Sequence, residues 1–123
     1  MALRRAADEP TPLELAQRIV EIASDRQAQD VILLDISQIA SFADYFVICS
    51  GTSERQLKAI VDNVNETLER EGFHAVHTEG APSSGWVLID YGSVIVHVFA
   101  PEERDYYRLE RLWGEAPTIV RVQ

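Results

Sequence analysis

The chain has 123 residues, of which 46% are hydrophobic and 25% are charged. This length suits one domain with one core, and the composition is that of neither a disordered nor a membrane-spanning chain. Its 20 acidic and 11 basic residues give a net charge of -9, which repels phosphate at long range and favours a basic protein partner over bare nucleic acid.

The N-terminal residues and the single cysteine argue against a secreted protein and against a protein held together by disulfides. MALRRAADEPTP contains no apolar run long enough for a secretory signal, so it predicts a flexible tail over 1–11. Cys49 stands alone, which excludes an internal disulfide and a site built from several thiolates. A bacterial-type cytoplasm or an organelle matrix fits these features, and we expect a cytoplasmic protein with no membrane partner, no metal and no cofactor.

The first half of the chain predicts one helix followed by two strands. Thr11 and Glu14 form a capping box, and apolar residues then recur at helical spacing, which predicts a helix over 12–27. VILLDI and YFVICSG are short and rich in branched or aromatic residues. They predict strands at 31–36 and 45–51.

The second helix carries the clearest boundary signals of the chain. Ser53 and Gln56 predict another capping box, and the apolar positions that follow predict a helix over 54–71. Gly72 then suits the left-handed conformation in which helices often end.

The rest of the chain predicts three more strands and a final helix. FHAVHT predicts a strand at 73–78, and WVLID and SVIVHVF predict a hairpin of strands around Tyr91 and Gly92. A helix is expected over 101–113, with a docking face made of Tyr106, Leu109 and Trp113. This order predicts a single α/β domain whose mixed sheet of about five strands is flanked by helices.

Metal-dependent nucleotidyl transfer is one enzyme activity that the turn before the second helix suggests. The turn at Ser50 before a helix resembles the arrangement in nucleotidyltransferases, whose metal ions need two acids on one strand face, two residues apart. Here Asp90 is followed two residues later by Gly92, and Asp35 by Ser37. The missing second carboxylate argues against an active enzyme.

The histidines do not form an obvious catalytic or metal site. His74 and His77 are three residues apart on a predicted strand, so they point to opposite faces. His97 shares its predicted face with Ile95 and Phe99, where a structural, hydrogen-bonded role is more common than a catalytic one.

The hairpin also carries residue types that are typical of recognition surfaces. Trp86 and Tyr91 are common interface anchors, and Asp90 offers a directional contact to a basic partner. Two other interpretations remain open from the residues alone, namely that Trp86 is core and that Asp90 caps the turn.

Four motifs in order resemble the ribosomal silencing factor family, also called the Iojap family. They are ADYFVICSGTSERQ (43–56), HTEG (77–80), WVLIDYGSVIVHVF (86–99) and ERDYYRLERLW (103–113). The resemblance implies a catalytically inactive nucleotidyltransferase fold, a family domain over 12–113, and a C-terminal tail at 114–123 beyond the family core.

The resemblance also implies a function and a partner. Members of the family bind the large ribosomal subunit through its fourteenth protein and sterically block joining of the small subunit, without catalysis. A role in large-subunit assembly and residual nucleotidyltransferase activity are the alternatives, and a homodimer is also implied. We expect contacts from Trp86, Asp90 and Tyr91, with Glu79 and His97 as weaker members, although Ser93 stands where family members often have Asp.

Overall fold

One six-stranded mixed sheet organises residues 9–123, the part of the chain that this computed structural model describes. The strands are β1 (Gln29–Asp35), β2 (Tyr45–Ser50), β3 (His77–Glu79), β4 (Trp86–Asp90), β5 (Val94–Phe99) and β6 (Thr118–Val122). Their order in the sheet is β3-β4-β5-β2-β1-β6, and only the central β2–β5 pair is parallel. The α/β single-domain prediction is confirmed.

The two long helices begin where the capping signals predict. They are α1 (Pro12–Asp25) and α2 (Glu54–Arg70), and two short helices, α3 (Pro101–Tyr107) and α4 (Leu109–Leu112), follow the sheet hairpin. The box at the start of α1 is complete, whereas at α2 the Gln56 side chain accepts from Thr52 instead of the Ser53 backbone. Among residues 9–123, no helix is both long and apolar enough to cross a membrane.

The two faces of the sheet bury different sets of side chains. On one face, α1 and α2 pack against alternate residues of the central strands, including Val94, Val96 and Val98 of β5. On the other, Ile95 and Phe99 join a smaller core with α4 and the 36–44 connection. The strict alternation along β5 is therefore as predicted, and His97 lies on the second face.

The C-terminal ten residues do not remain a tail. Thr118–Val122 pairs antiparallel with β1 and adds a sixth strand to the sheet of about five that the sequence predicts. Without β6, the fully buried residues at the centre of β1 would lie on an open sheet edge. Most of the predicted N-terminal tail, 1–11, lies outside the described residues. Thr11, which is described, caps α1.

The third strand and the last helix also differ from prediction. β3 covers only three residues, and Val76 before it is 70% exposed. The expected helix over 101–113 is broken at Arg108, whose φ of 46° is left-handed. Because of this break Tyr106 points into solvent, 79% exposed, and Tyr107 packs in its place on the sheet.

Candidate interaction surface

The second face of the sheet is covered by helix only over its middle strands. Toward the β3 edge, a patch that we call the open face stays accessible. Register places His77 beside Asp90 and Glu79 beside Leu88, all on the side opposite the helix-facing core of β4. The open face consists of His77, Glu79, Trp86, Leu88 and Asp90.

A small apolar pocket lies within the open face. The pocket has a volume of about 190 Å³ and is lined by Trp86, Leu88, Gly80 and Glu79. Gly80 has a φ of 84°, and a Cβ there would lie 2.2 Å from the Trp86 carbonyl oxygen. Glycine at this position therefore allows the end of β3 to pass close to Trp86.

Two carboxylates and a histidine border the apolar part of the open face. The Glu79 carboxylate lies 2.9 Å from Nε2 of His77, and Nδ1 of His77 lies 3.6 Å from the Asp90 carboxylate. Asp90 also accepts a hydrogen bond from the Gly92 N–H at 2.7 Å. Asp90 therefore combines both interpretations, since it caps the turn and still presents a partly exposed carboxylate.

Trp86 likewise belongs to both the core and the surface. Its indole packs against Phe99 and Tyr107 at centroid distances of 5.0 and 4.6 Å, and its Nε1–H donates to Nδ1 of His97 at 3.2 Å. The side chain remains half-buried and forms one wall of the pocket. Such a rigid, partly exposed indole is typical of an interface anchor.

Tyr91 is the one predicted site residue that the structure separates from the others. Its hydroxyl donates to the Asn65 side chain of α2, and burial raises its pKa above the ordinary value. Tyr91 therefore packs on the helix side of the sheet. Leu88 is not among the site residues predicted from the sequence, but it lies beside Trp86 on the open face. The alternation of side chains along β4 could have indicated this.

His97 lies beneath the open face, 3% exposed, and burial lowers its pKa to about 4. An unfolded chain protonates this imidazole near 6.5, so between these pH values the unfolded state binds more protons. We expect the free energy of unfolding to fall by about 3 kcal/mol from His97 alone as pH decreases from 6.5 to 4, and this contribution to level off below.

Urea unfolding over that pH range measures this dependence. His97→Asn lacks the titrating ring, so its free energy of unfolding is expected to fall by about 3 kcal/mol less than that of the wild type over the same pH interval. His74→Gln, at an exposed site, provides the matched control and is expected to follow the wild type. Parallel curves for the wild type and His97→Asn would contradict the assignment.

The side chains that the sequence suggests for catalysis have structural roles instead, in local hydrogen bonds, a helix cap or the core. Asp35 on β1 bonds to Ser37, and β2 and β5 separate it from Asp90 on β4. Ser53 caps α2, and burial raises the pKa of the Cys49 thiol to about 12. Within residues 9–123, no group of three or more His, Cys, Asp or Glu side chains is placed to hold a metal ion.

Arg104 fixes the C-terminal helices that support Trp86. Its side chain is 9% exposed, and its guanidinium bonds to Glu110 at 2.8 Å and to the Ser50 hydroxyl at 2.9 Å. It also lies 3.3 Å from the Asp30 carboxylate. This network joins α3 and α4 to the ends of β1 and β2, and so places Tyr107 against Trp86.

Comparison with known proteins identifies the family. The family model described as "Ribosomal silencing factor during starvation" matches residues 9–123. The chain belongs to this family. The motif-based resemblance is thereby confirmed, and the match extends through β6 to the last residue.

Individual members of the ribosomal silencing factor family are similar over most of the chain. Ribosomal silencing factor RsfS of Halalkalibacterium halodurans is 43% identical over 106 residues, which cover 86% of this chain and 91% of that protein. A crystal structure from Chromobacterium violaceum superposes with a TM-score of 0.81 at 38% identity, covering 85% of this chain and 87% of that one.

The match to a mammalian relative covers less than half of that protein. Mitochondrial assembly of ribosomal large subunit protein 1 of Mus musculus is 34% identical over 98 residues, or 77% of this chain and 43% of that protein. The name of that protein refers to assembly of the large ribosomal subunit in mitochondria.

Proposed function

We propose that this protein is a cytoplasmic translational repressor that binds the large ribosomal subunit through the subunit's fourteenth protein. Bound there, it sterically blocks joining of the small subunit. Family membership supports a large-subunit role, and the open face supports the mode of contact. The observation that carries the proposal is the apolar pocket of Trp86 and Leu88 bordered by the carboxylates of Glu79 and Asp90.

The open face has the composition of a compact binding hot spot. An apolar centre loses water on contact, and the polar groups around it set the orientation and exclude mismatched partners. Carboxylates at this border favour a basic partner, and the net charge of -9 adds long-range attraction to the same partner. No bond is made or broken in this mechanism, so affinity and bulk at the subunit interface perform the function.

Co-sedimentation with isolated large subunits tests the proposal. We expect the protein to migrate with the large subunit at moderate salt, and pre-loaded subunits to form fewer joined ribosomes when small subunits are added. Protein that stays at the top of the gradient while subunit joining proceeds normally would overturn the proposal.

Charge reversal at Glu79 tests the polar border of the pocket. We expect Glu79→Lys to weaken association with large subunits about tenfold at low salt, since a carboxylate that attracts a basic partner becomes a repelling ammonium group. The loss should shrink as salt is raised, because salt screens exposed charges.

Glu66→Lys is the matched control for this experiment. Glu66 is exposed on α2, on the helix side of the sheet, and the substitution changes the net charge by the same amount. It is expected to leave association nearly unchanged. Equal losses from the two variants would mean that net charge, and not the open face, determines binding.

A role in assembly of the large subunit is the second candidate, and the mouse relative favours it. Particles that co-purify from growing and starved cells separate the two roles. Assembly predicts immature large subunits during growth, whereas silencing predicts mature free subunits that accumulate in starvation.

The proposal also includes a homodimer. The two edge strands of the sheet, β3 and β6, offer backbone groups for pairing with a second copy. Sedimentation velocity of the protein alone tests this, and a monomer at all concentrations would remove the dimer while leaving the ribosomal contact intact.

A further inference from the structure

The hydrogen bond between Trp86 and His97 constrains both side chains. An indole N–H can only donate, so Nδ1 of His97 must accept and the ring proton must sit on Nε2. Nε2 is buried and finds no hydrogen-bond partner among the described residues. His97 thus satisfies its neighbour while leaving its own donor unpaired.

This arrangement is unfavourable for the core alone. His97 lies among aromatic rings, with Phe46 at 4.6 Å in an edge-on geometry and Phe99 at 6.2 Å. An apolar ring would fill the same space and remove this unpaired N–H, which carries a desolvation cost, but it would leave the indole N–H of Trp86 without its acceptor. The benefit of histidine at this position therefore comes from its bond to Trp86 and not from its own Nε2–H.

The benefit lies in the orientation of Trp86. The rings of Phe99 and Tyr107 hold the indole by stacking, which tolerates sliding and rotation of flat surfaces. The 3.2 Å hydrogen bond to His97 is directional, and it fixes which edge of the indole points inward. Trp86, held in this orientation, lines the pocket.

We infer that His97 is a positioning residue, which orients Trp86 and thereby preforms the pocket that receives an apolar side chain of the ribosomal partner. The consequence for binding rests on the proposed function, but the ordering of Trp86 in the free protein does not. A preformed pocket binds more tightly because less side-chain freedom is lost on contact.

Nuclear magnetic resonance of the indole N–H groups tests the ordering directly. The chain has two tryptophans, and Trp113→Phe assigns the Trp86 signal. In His97→Phe we expect that signal to shift and its hydrogen exchange to accelerate about tenfold or more, because the acceptor is gone. His97→Asn, whose side-chain oxygen can replace Nδ1, should restore slow exchange.

Association with large ribosomal subunits tests the consequence. We expect His97→Phe to weaken association about fivefold, the effect of one lost orienting hydrogen bond. In a Trp86→Phe background, which has no indole N–H to orient, the same change at 97 should have almost no further effect. Thermal unfolding checks that each variant is folded, and His97→Leu replaces His97→Phe if the larger ring unfolds the chain.

Distinct outcomes decide the two proposals. An unchanged Trp86 signal in His97→Phe, or no recovery in His97→Asn, would overturn the positioning role, as would full additivity of the substitutions at 86 and 97. Wild-type protein that fails to associate with large subunits would overturn the proposed function, while the resonance experiment would still decide the orientation of Trp86.

Discussion

Arg104→Met is expected to lower the free energy of unfolding by about 3 kcal/mol. Methionine keeps the apolar stem but removes every hydrogen bond of the guanidinium, which leaves the buried Ser50 hydroxyl and the Glu110 carboxylate without their partner, while Asp30 keeps only its ion pair with Arg121. Glu110 and Asp30 are 26% and 43% exposed, so water compensates part of the loss and keeps it at the lower end of the range for a buried pair.

Arg111→Met is the control for the loss of positive charge in the same part of the chain. Arg111 is exposed on α4 and borders the same surface cleft as Arg104, so its replacement should change stability by no more than about 0.5 kcal/mol. Urea unfolding followed by circular dichroism measures both variants. Equal losses would mean that charge balance, and not the Arg104 network, holds the C-terminal helices.

Most of the fold could be predicted because its signals are local. The cap of α1 lies within three residues of its partner, and the alternation along β5 is a property of consecutive residues. The parts that could not be predicted depend on distant contacts. β6 forms by pairing with β1 across more than eighty residues of chain, and although TIVRV is rich in the β-branched residues that favour strands, its sequence does not indicate which strand it pairs with.

The broken C-terminal helix has the same cause. A continuous helix over 101–113 satisfies every local rule, but Arg104 reaches partners on β1 and β2 that are 54 to 75 residues away. The left-handed turn at Arg108 changes the direction of the chain, so that the Glu110 carboxylate on α4 can bind the Arg104 guanidinium on α3. Local propensity carries no information about such a network.

The candidate site was predictable to the extent that it follows strand alternation. Trp86 and Asp90 lie two pleats apart on β4 and share a face, and Glu79 joins them through the register of β3. Tyr91 lies beyond the end of β4, where alternation no longer determines the direction of a side chain, and Asn65 on α2 provides its partner.

Leu88→Lys is expected to weaken association with large subunits about a hundredfold, or roughly 3 kcal/mol. Leu88 lines the pocket beside Trp86 and is only half-buried in the free protein. The substitution removes the apolar surface that contact would bury, and it places a positive charge where the proposed basic partner would dock. Because a lysine stem can extend into solvent, the fold should be retained.

The opposite edge of the sheet provides the control for Leu88→Lys. Ile119 on β6 is 42% exposed, and Ile119→Lys introduces the same side chain at an apolar surface position four strands away. Gradient sedimentation at one fixed salt concentration should show loss of association for Leu88→Lys and wild-type association for Ile119→Lys. If instead Ile119→Lys abolishes association and Leu88→Lys does not, the ribosome contacts the β6 edge, and the open face is available to another partner.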